Sequence, residues 1–392
     1  MKTVARLTRI VLALVAGSSL SACGSKPVVG VLLPSSGSAA IYGESMRNGI
    51  EMALEQARNA GDTAATTQFI WGDSGSDPDQ AAEEFRRLTG AGAKLIILAT
   101  TSGEAKAILP VLEETDTLAL SPSASAPSLT KDSRRFFRVF ASDELEGRRA
   151  ARFLWEDQDR STVLIYAEDS VQAQGIEPPF RQVFEQAMQG RVVGKVSLSN
   201  PDWENESADL LAAHNPESIY IIGQANATIK ALKHIRNKAF EGTICLTSAF
   251  YTTSVVEQNA ELLEGVFFPQ PAFDMKDERD LVKDFVRGYR ERYGQDPDIY
   301  AAHAYDALKV ALHVVREASI YDSSELKKAL QFSIGEFPGV TGIIKFNDYG
   351  DVHHNPIMFT VRDGEVLNYE RFVKEQKKLI RDRIRRLLQR GG

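Results

Sequence analysis

Cysteine is scarce in this chain. Only Cys23 and Cys245 occur among 392 residues, so no disulfide framework staples the body, and its stability has to come from packed cores. Cys245, inside "GTICLTSAF", reads as a small apolar strand residue. Catalytic motifs are missing as well: there is no Gly-x-Ser-x-Gly elbow and no dinucleotide or P-loop glycine pattern. "SLTK", Ser128 to Lys131, has Ser-x-x-Lys spacing, but the Ser-Asp-Asn and Lys-Thr-Gly partners are absent, so the match is read as coincidence. "DSGSDPDQ" spaces Asp73, Asp77 and Asp79 like a fragment of a calcium loop without its terminal glutamate. Asp73 is instead expected to end a strand, and Asp77 with Pro78 to begin a helix. His353 and His354 follow the turn-like "NDYGD" and read as a surface turn rather than a metal site. His303 reads as an ordinary helical residue. The expectation is a protein that is not an enzyme, has no cofactor or metal, and, lacking any base-reading motif, does not bind nucleic acid.

Long apolar runs are also wanting. "IVLALVAG" is too short to span a bilayer, and nothing after it approaches the roughly 18 residues a membrane helix needs. It follows Lys2, Arg6 and Arg9 and ends in "LSAC", Leu20 to Cys23, which resembles the lipobox cleaved by the lipoprotein signal peptidase. Residues 1–22 are therefore expected to be a signal peptide and Cys23 the lipidated residue, held to a membrane by two or three acyl chains. An ordinary secretory signal followed by a coincidental cysteine is the alternative. Gly24, where an aspartate would favour inner-membrane retention in the systems this resembles, tilts the expectation towards the outer membrane, facing the periplasm.

What remains is long enough for two domains. The net charge of −7 conceals an asymmetry: 371–392, "RFVKEQKKLIRDRIRRLLQRGG", carries nine Lys/Arg against two acids, a charge of +7, leaving −14 elsewhere. Val373, Ile380, Ile384, Leu387 and Leu388 share one helical face there. Such a helix suits an anionic membrane or a partner; equally, it suits packing on its own domain.

From residue 28 on, strand-length apolar runs alternate with amphipathic helical stretches. "VVGVLLP", "QFIWGDS", "KLIILA", "TLALS", "STVLIYAED", "RVVGKVSL", "SIYIIG", "TICLTS" and "GVFFPQ" are the strands. This alternation predicts parallel sheets covered on both faces, in two α/β lobes. Ligands of such sheets sit beyond the carboxyl ends of the strands. "SPSASAP", 121–127, directly follows a strand, so its small hydroxylated residues fall where a ligand would lie.

"GVLLPSSGSAAIYGESMRNGIEMALEQA", "LALSPSASAPSLT" with "RRFFRVFASDELEGRRAARFL", "YAAHAYDALKVALHVV" and "FPGVTGIIKFNDYGD" together resemble the type I periplasmic binding proteins of the leucine/isoleucine/valine-binding family. The resemblance spans roughly 28–369 and implies two Rossmann-like lobes joined by three crossover strands, with a cleft between them. The N-terminal lobe would hold 27–141 plus 271–345, the C-terminal lobe 142–270 plus 346–370, with 371–392 as a basic tail.

Thr101 and Glu104 have capping-box spacing, so a helix should begin there and turn its free amides towards the cleft, a seat for a carboxylate. The resemblance adds Thr100 and Ser102 beside the cap, Ser123 and Ser125 from the Ser/Pro stretch, and Tyr42 as an aromatic wall. In the second lobe the chain departs from the family: Gln172 and Gln224 stand where aromatics are usual, and Ala249 where an acid would meet a ligand's ammonium. A buried ammonium needs a paired charge, so an amide, a neutral compound or a non-amino organic acid fits better than an α-amino acid. Three functions are carried forward. The first is a lipid-anchored solute-binding protein that closes its lobes on a small molecule and delivers it to an ABC-type inner-membrane permease. The others are a ligand-free outer-membrane lipoprotein scaffold that activates a peptidoglycan synthase, and a sensory ligand-binding receptor.

Overall fold

In the computed structural model the described residues run from 27 to 390, without the side chains of 386–390; the expected signal peptide, 1–22, and Cys23 lie outside them. Five parallel strands form the first sheet: β1 (Val28–Leu33), β2 (Gln68–Asp73), β3 (Leu95–Leu98), β4 (Leu118–Ser121) and β5 (Phe136–Arg138), in the order β2-β1-β3-β4-β5. β3 and β4 are buried at every position, because helices cover both faces. Leu32, Ile96, Leu98 and Ala119 meet Phe85, Leu88, Ile108 and Leu112 of the helices Pro78–Gly90 and Ser102–Glu114. Val31, Leu33, Ile97 and Leu120 face the opposite way, into a core with Met46 and Ile50 of the helix Ala40–Asn59 and Ala301 of the helix Ile299–Glu317. Period-2 side-chain alternation in a doubly covered strand gives this result, and it explains the uninterrupted apolar runs.

The second sheet has seven strands: β6 (Thr162–Ala167), β7 (Arg191–Ser197), β8 (Ser218–Ile222), β9 (Thr243–Leu246), β10 (Phe267–Gln270), β13 (Ile357–Arg362) and β14 (Glu365–Asn368). Their order is β14-β13-β10-β9-β8-β6-β7, parallel except where β13 pairs antiparallel with β10 and with β14. A small hairpin, β11 (Phe337–Gly339) with β12 (Gly342–Ile344), stands apart from both sheets. Three segments pass between the lobes. The first, 139–142, leads from β5 to the helix Asp143–Arg152. The second, 271–279, leads from β10 to the helix Asp280–Tyr293, and the third, 345–356, leads from the hairpin to β13. The two-lobed α/β architecture expected from the sequence is thus the one found.

Two of these crossings are tied together. The fully buried Arg138 at the end of β5 donates from Nε to Asp351 Oδ1 (2.5 Å) and from Nη1 to the Ala126 carbonyl (2.9 Å), while its amide donates to Gly350. Thr130 donates its hydroxyl to the other Asp351 oxygen.

Particular expectations fare differently. Asp73 ends β2 and Asp77 caps the next helix, its carboxylate accepting from the amides of Asp79 and Gln80. Cys245 is buried in β9. His354, however, is no surface residue: its ring is buried and bonded to the Ile343 carbonyl of the hairpin, and only His353 fits the surface-turn reading. The hairpin itself went unread, since "FPGVTGII" has neither a run of buried apolar residues nor strict alternation.

Candidate functional site

A cavity of about 340 Å³ lies between the lobes. Its walls come mainly from loops that leave the carboxyl ends of strands. Pro34 follows β1, Thr100 to Gly103 follow β3, and Ser123 and Ser125 follow β4. From the other lobe, Asp169 to Gln172 follow β6, Gln224 follows β8 and Ala249 follows β9. In both sheets the strand order reverses beside the first strand of the lobe, the position at which α/β sheets leave a crevice. Tyr42, Met46 and Tyr300 complete the walls from helices.

The structure therefore brings Tyr42, Thr100, Thr101, Ser102, Ser123, Ser125, Gln172, Gln224 and Ala249 to a single cavity. Their hydrogen bonds divide them. Thr101 closes a full capping box with Glu104: its amide (2.8 Å) and hydroxyl (2.7 Å) both donate to Glu104 Oε2. Ser102 Oγ accepts from the amides of Ser125 (3.1 Å) and Ala126 (3.2 Å), joining the loops after β3 and β4. Ser123 gives its hydroxyl to the Thr100 carbonyl (2.8 Å) and its amide to Ser121 Oγ (3.3 Å), so it shapes the wall with both groups engaged. Thr100 Oγ1 is buried with no partner among the described residues. With Glu104 occupying the Thr101 amide, the amides of Ser102 and Gly103 remain at the start of the helix with no intrahelical acceptor. A buried hydroxyl and two amides at a positive dipole end form an anion or carbonyl seat.

Tyr42 does more than line a wall. Its hydroxyl donates to the Ala249 carbonyl (2.7 Å) and accepts from the Ala225 amide (3.0 Å), both in the opposite lobe. Its ring packs against Tyr300 at 4.9 Å between centroids, and burial holds its phenol well above the usual tyrosine range. The Ala249 carbonyl is thereby engaged.

Acids near the cavity were the feature least legible beforehand. Asp169 alone among the lining residues is acidic, and it is exposed at the rim. Behind the wall, Asp143 and Glu146 are both buried on the helix Asp143–Arg152. Glu146 accepts from the amide and the hydroxyl of Ser248, each at 2.7 Å. Burial first, then the neighbouring Asp143 charge, pushes its carboxyl up to about 8. Burial pushes Asp143 up to about 7 despite the nearby Ser125, Arg138 and Gln172. Neither oxygen of Asp143 has a hydrogen-bond partner among the described residues, so little offsets the cost of burying its charged form. "SDELEGRR" looks like the polar start of a surface helix, whereas the groups around its acids, Ser125, Arg138, Gln172 and Ser248 among them, come from other segments. Ser170 and Val171 were missed as well, although they follow β6 as Thr101 and Ser102 follow β3. Elsewhere, His303 is fully buried with Nδ1 on the Ile299 carbonyl, and burial lowers its pKa to about 3. No group of three or more metal-ligating side chains occurs among the described residues.

A family model described as periplasmic binding protein matches residues 27–365. The Leu/Ile/Val-binding protein homolog 2 of Brucella abortus is 24% identical over 360 residues, covering 88% of this chain and 93% of that protein. Among solved structures, a branched-chain amino acid transporter substrate-binding protein of Streptococcus pneumoniae, in complex with isoleucine, superposes with a TM-score of 0.79 at 24% identity, covering 87% of this chain and 98% of that one. A solute-binding protein of an ABC transporter from Rhodopseudomonas palustris, in complex with 3,4-dihydroxybenzoic acid, does so with a TM-score of 0.77 at 18% identity, covering 88% and 95%. With two crossed-over lobes, a cleft at their strand ends and a family match over most of its length, the chain belongs to the periplasmic binding protein family, in the type I form.

Proposed function

We propose that the protein is an extracytoplasmic solute-binding protein that captures a small carboxylate- or amide-bearing molecule between its lobes and presents it to an ABC-type permease. The observation that carries this reading is the buried, unpartnered Thr100 hydroxyl beside the open amides of Ser102 and Gly103. An unsatisfied buried polar group costs about 1–3 kcal/mol, a cost that a ligand oxygen removes. Ser125, Gln172 and Gln224 would hold the rest of the polar head, and Met46, Val171 and Tyr300 offer apolar contact to its body. With Ala249 where an acid would meet an ammonium and Asp169 exposed at the rim, an organic acid or amide suits the cavity better than an α-amino acid. The relatives' ligands, isoleucine and 3,4-dihydroxybenzoic acid, share a carboxylate and differ in everything else. Each contact made only when the lobes are shut favours closure. Lipidation at Cys23 would keep the protein at a membrane surface, and the lobes would comprise 27–141 with 271–345 and 142–270 with 346–370.

Two measurements test this. Mass spectrometry of the natively purified protein should find a bound carboxylic acid or amide, and adding that compound at about 100 times its dissociation constant should stabilise the fold by about 2.7 kcal/mol. Thr100→Val is isosteric, so the ligand-free protein should melt at an unchanged or higher temperature while the ligand-dependent rise disappears. A chain that melts at one temperature with every organic acid and amide tried is not a solute carrier, and the scaffold reading would replace it.

A further inference from the structure

The helix Tyr369–Arg390 begins against the second lobe and then leaves it. The Tyr369 ring packs edge-on to Phe153 (5.1 Å) and Phe267 (5.5 Å), and Arg371 pairs with Asp274 (2.6 Å). Val373 is half-buried. From 374 to 385 every residue except Asp382 is exposed, including Leu379 (57%), Ile380 (57%) and Ile384 (51%). Residues 369, 373, 380 and 384 fall on one stripe at helical spacing, so the apolar face that starts on the lobe core runs past its edge without a cover among the described residues. Lys374, Lys377, Lys378, Arg381, Arg383 and Arg385 surround it.

We propose that this projecting helix lies flat on an anionic phospholipid surface, with Ile380 and Ile384 in the acyl boundary and its lysines and arginines on the headgroups. Three observations select this occupant. The segment 371–392 has a charge of +7 while the rest of the chain has −14, so the attraction is concentrated on an element that also exposes the aliphatic side chains of Leu379, Ile380 and Ile384. Two such helices from two copies would repel one another, which disfavours self-pairing. No described helix is long and apolar enough to cross a membrane, and strong amphipathicity with a basic polar face is the pattern of a helix lying in the interface plane. The inference stands apart from solute binding and from lipidation, because it concerns residues remote from the cleft and a chain without acyl groups.

The test uses the chain from Gly24 onwards, which keeps every described element, and sedimentation with phosphatidylglycerol-containing or pure phosphatidylcholine vesicles. Binding should be about tenfold or more tighter to the anionic vesicles and should collapse when salt rises from about 0.1 M to about 1 M, as the screening length falls from about 10 Å to about 3 Å. The double substitution Ile380→Asp with Ile384→Asp should lower the affinity about tenfold or more while leaving the melting temperature and any solute-dependent shift unchanged. Equal binding to both vesicle types, no binding at low salt, or binding indifferent to the double substitution would each overturn the proposal. So would a dimer that the double substitution dissolves, since the face would then belong to a second copy.

Discussion

At the scale of single residues, the balance between Arg138 and Asp351 sets an asymmetric prediction. Arg138 is 1% exposed in its side chain and Asp351 24%. Removing the arginine leaves a carboxylate that water can reach; removing the aspartate strands a buried guanidinium that already has one unpartnered nitrogen, Nη2. Asp351→Ala should therefore cost about 3–5 kcal/mol in urea unfolding, and Arg138→Met less. Residue-level roles were the hardest to read in the sequence. Thr101 and Glu104 were legible because a capping box is local, complete within four residues. Ser123 and Ser125 were not separable, because one is consumed by a carbonyl on another loop and the other faces a buried acid on another lobe. Only the tertiary arrangement carries that distinction.

At the scale of elements, two helices carry testable consequences. In the helix Asp143–Arg152, Asp143 and Glu146 stand three residues apart, and burial raises both pKa values, to about 7 and about 8. In the unfolded chain both titrate near 4, so between about pH 4 and pH 8 the native state binds more protons than the unfolded state. Stability is then greatest at the acid end of that window and falls as pH rises through the native values. The melting temperature should drop from pH 5 to pH 8, and Glu146→Gln, which can still accept from the Ser248 amide, should flatten part of that slope. The helix Ala40–Asn59 makes a different demand. A Cβ on Gly49 would lie 2.1 Å from the Ala301 carbonyl oxygen of the crossing helix. Gly49→Ala should cost about 1–3 kcal/mol through forced separation. Gly90, with nothing within 4 Å of its would-be Cβ, is the control: Gly90→Ala should be neutral or stabilising by up to about 1 kcal/mol. Strands were the most legible elements, since burial on both faces writes itself as an apolar run. β11 and β12 escaped because a two-stranded hairpin with one covered side leaves no such mark; β13 and β14 were not read either, although β13 is buried along its middle.

At the scale of the whole molecule, Tyr42 joins the two lobes by bonds to Ala225 and Ala249. Tyr42→Phe keeps the ring contact with Tyr300 but removes both bonds, at about 1–3 kcal/mol against the shut arrangement. Small-angle scattering should report a larger radius of gyration for the variant, and solute affinity should weaken about fivefold or more. An unchanged radius and affinity would show that the latch contributes nothing to closure. The two-lobed plan itself was legible from the order of four sequence blocks, whereas the course of the last helix was not: composition fitted both a packed and a projecting segment.

The helix Ile299–Glu317 that Gly49 receives arrives more than 240 residues later in the chain, after the entire parallel part of the other lobe. Neither half is therefore a contiguous stretch of polypeptide. As the chain is made, the face of the first sheet beneath the helix Ala40–Asn59 stays only partly covered until residue 317 is reached, and the second sheet waits longer still for β13 and β14. Each half thus completes its core late, and until then its exposed apolar surface is open to aggregation.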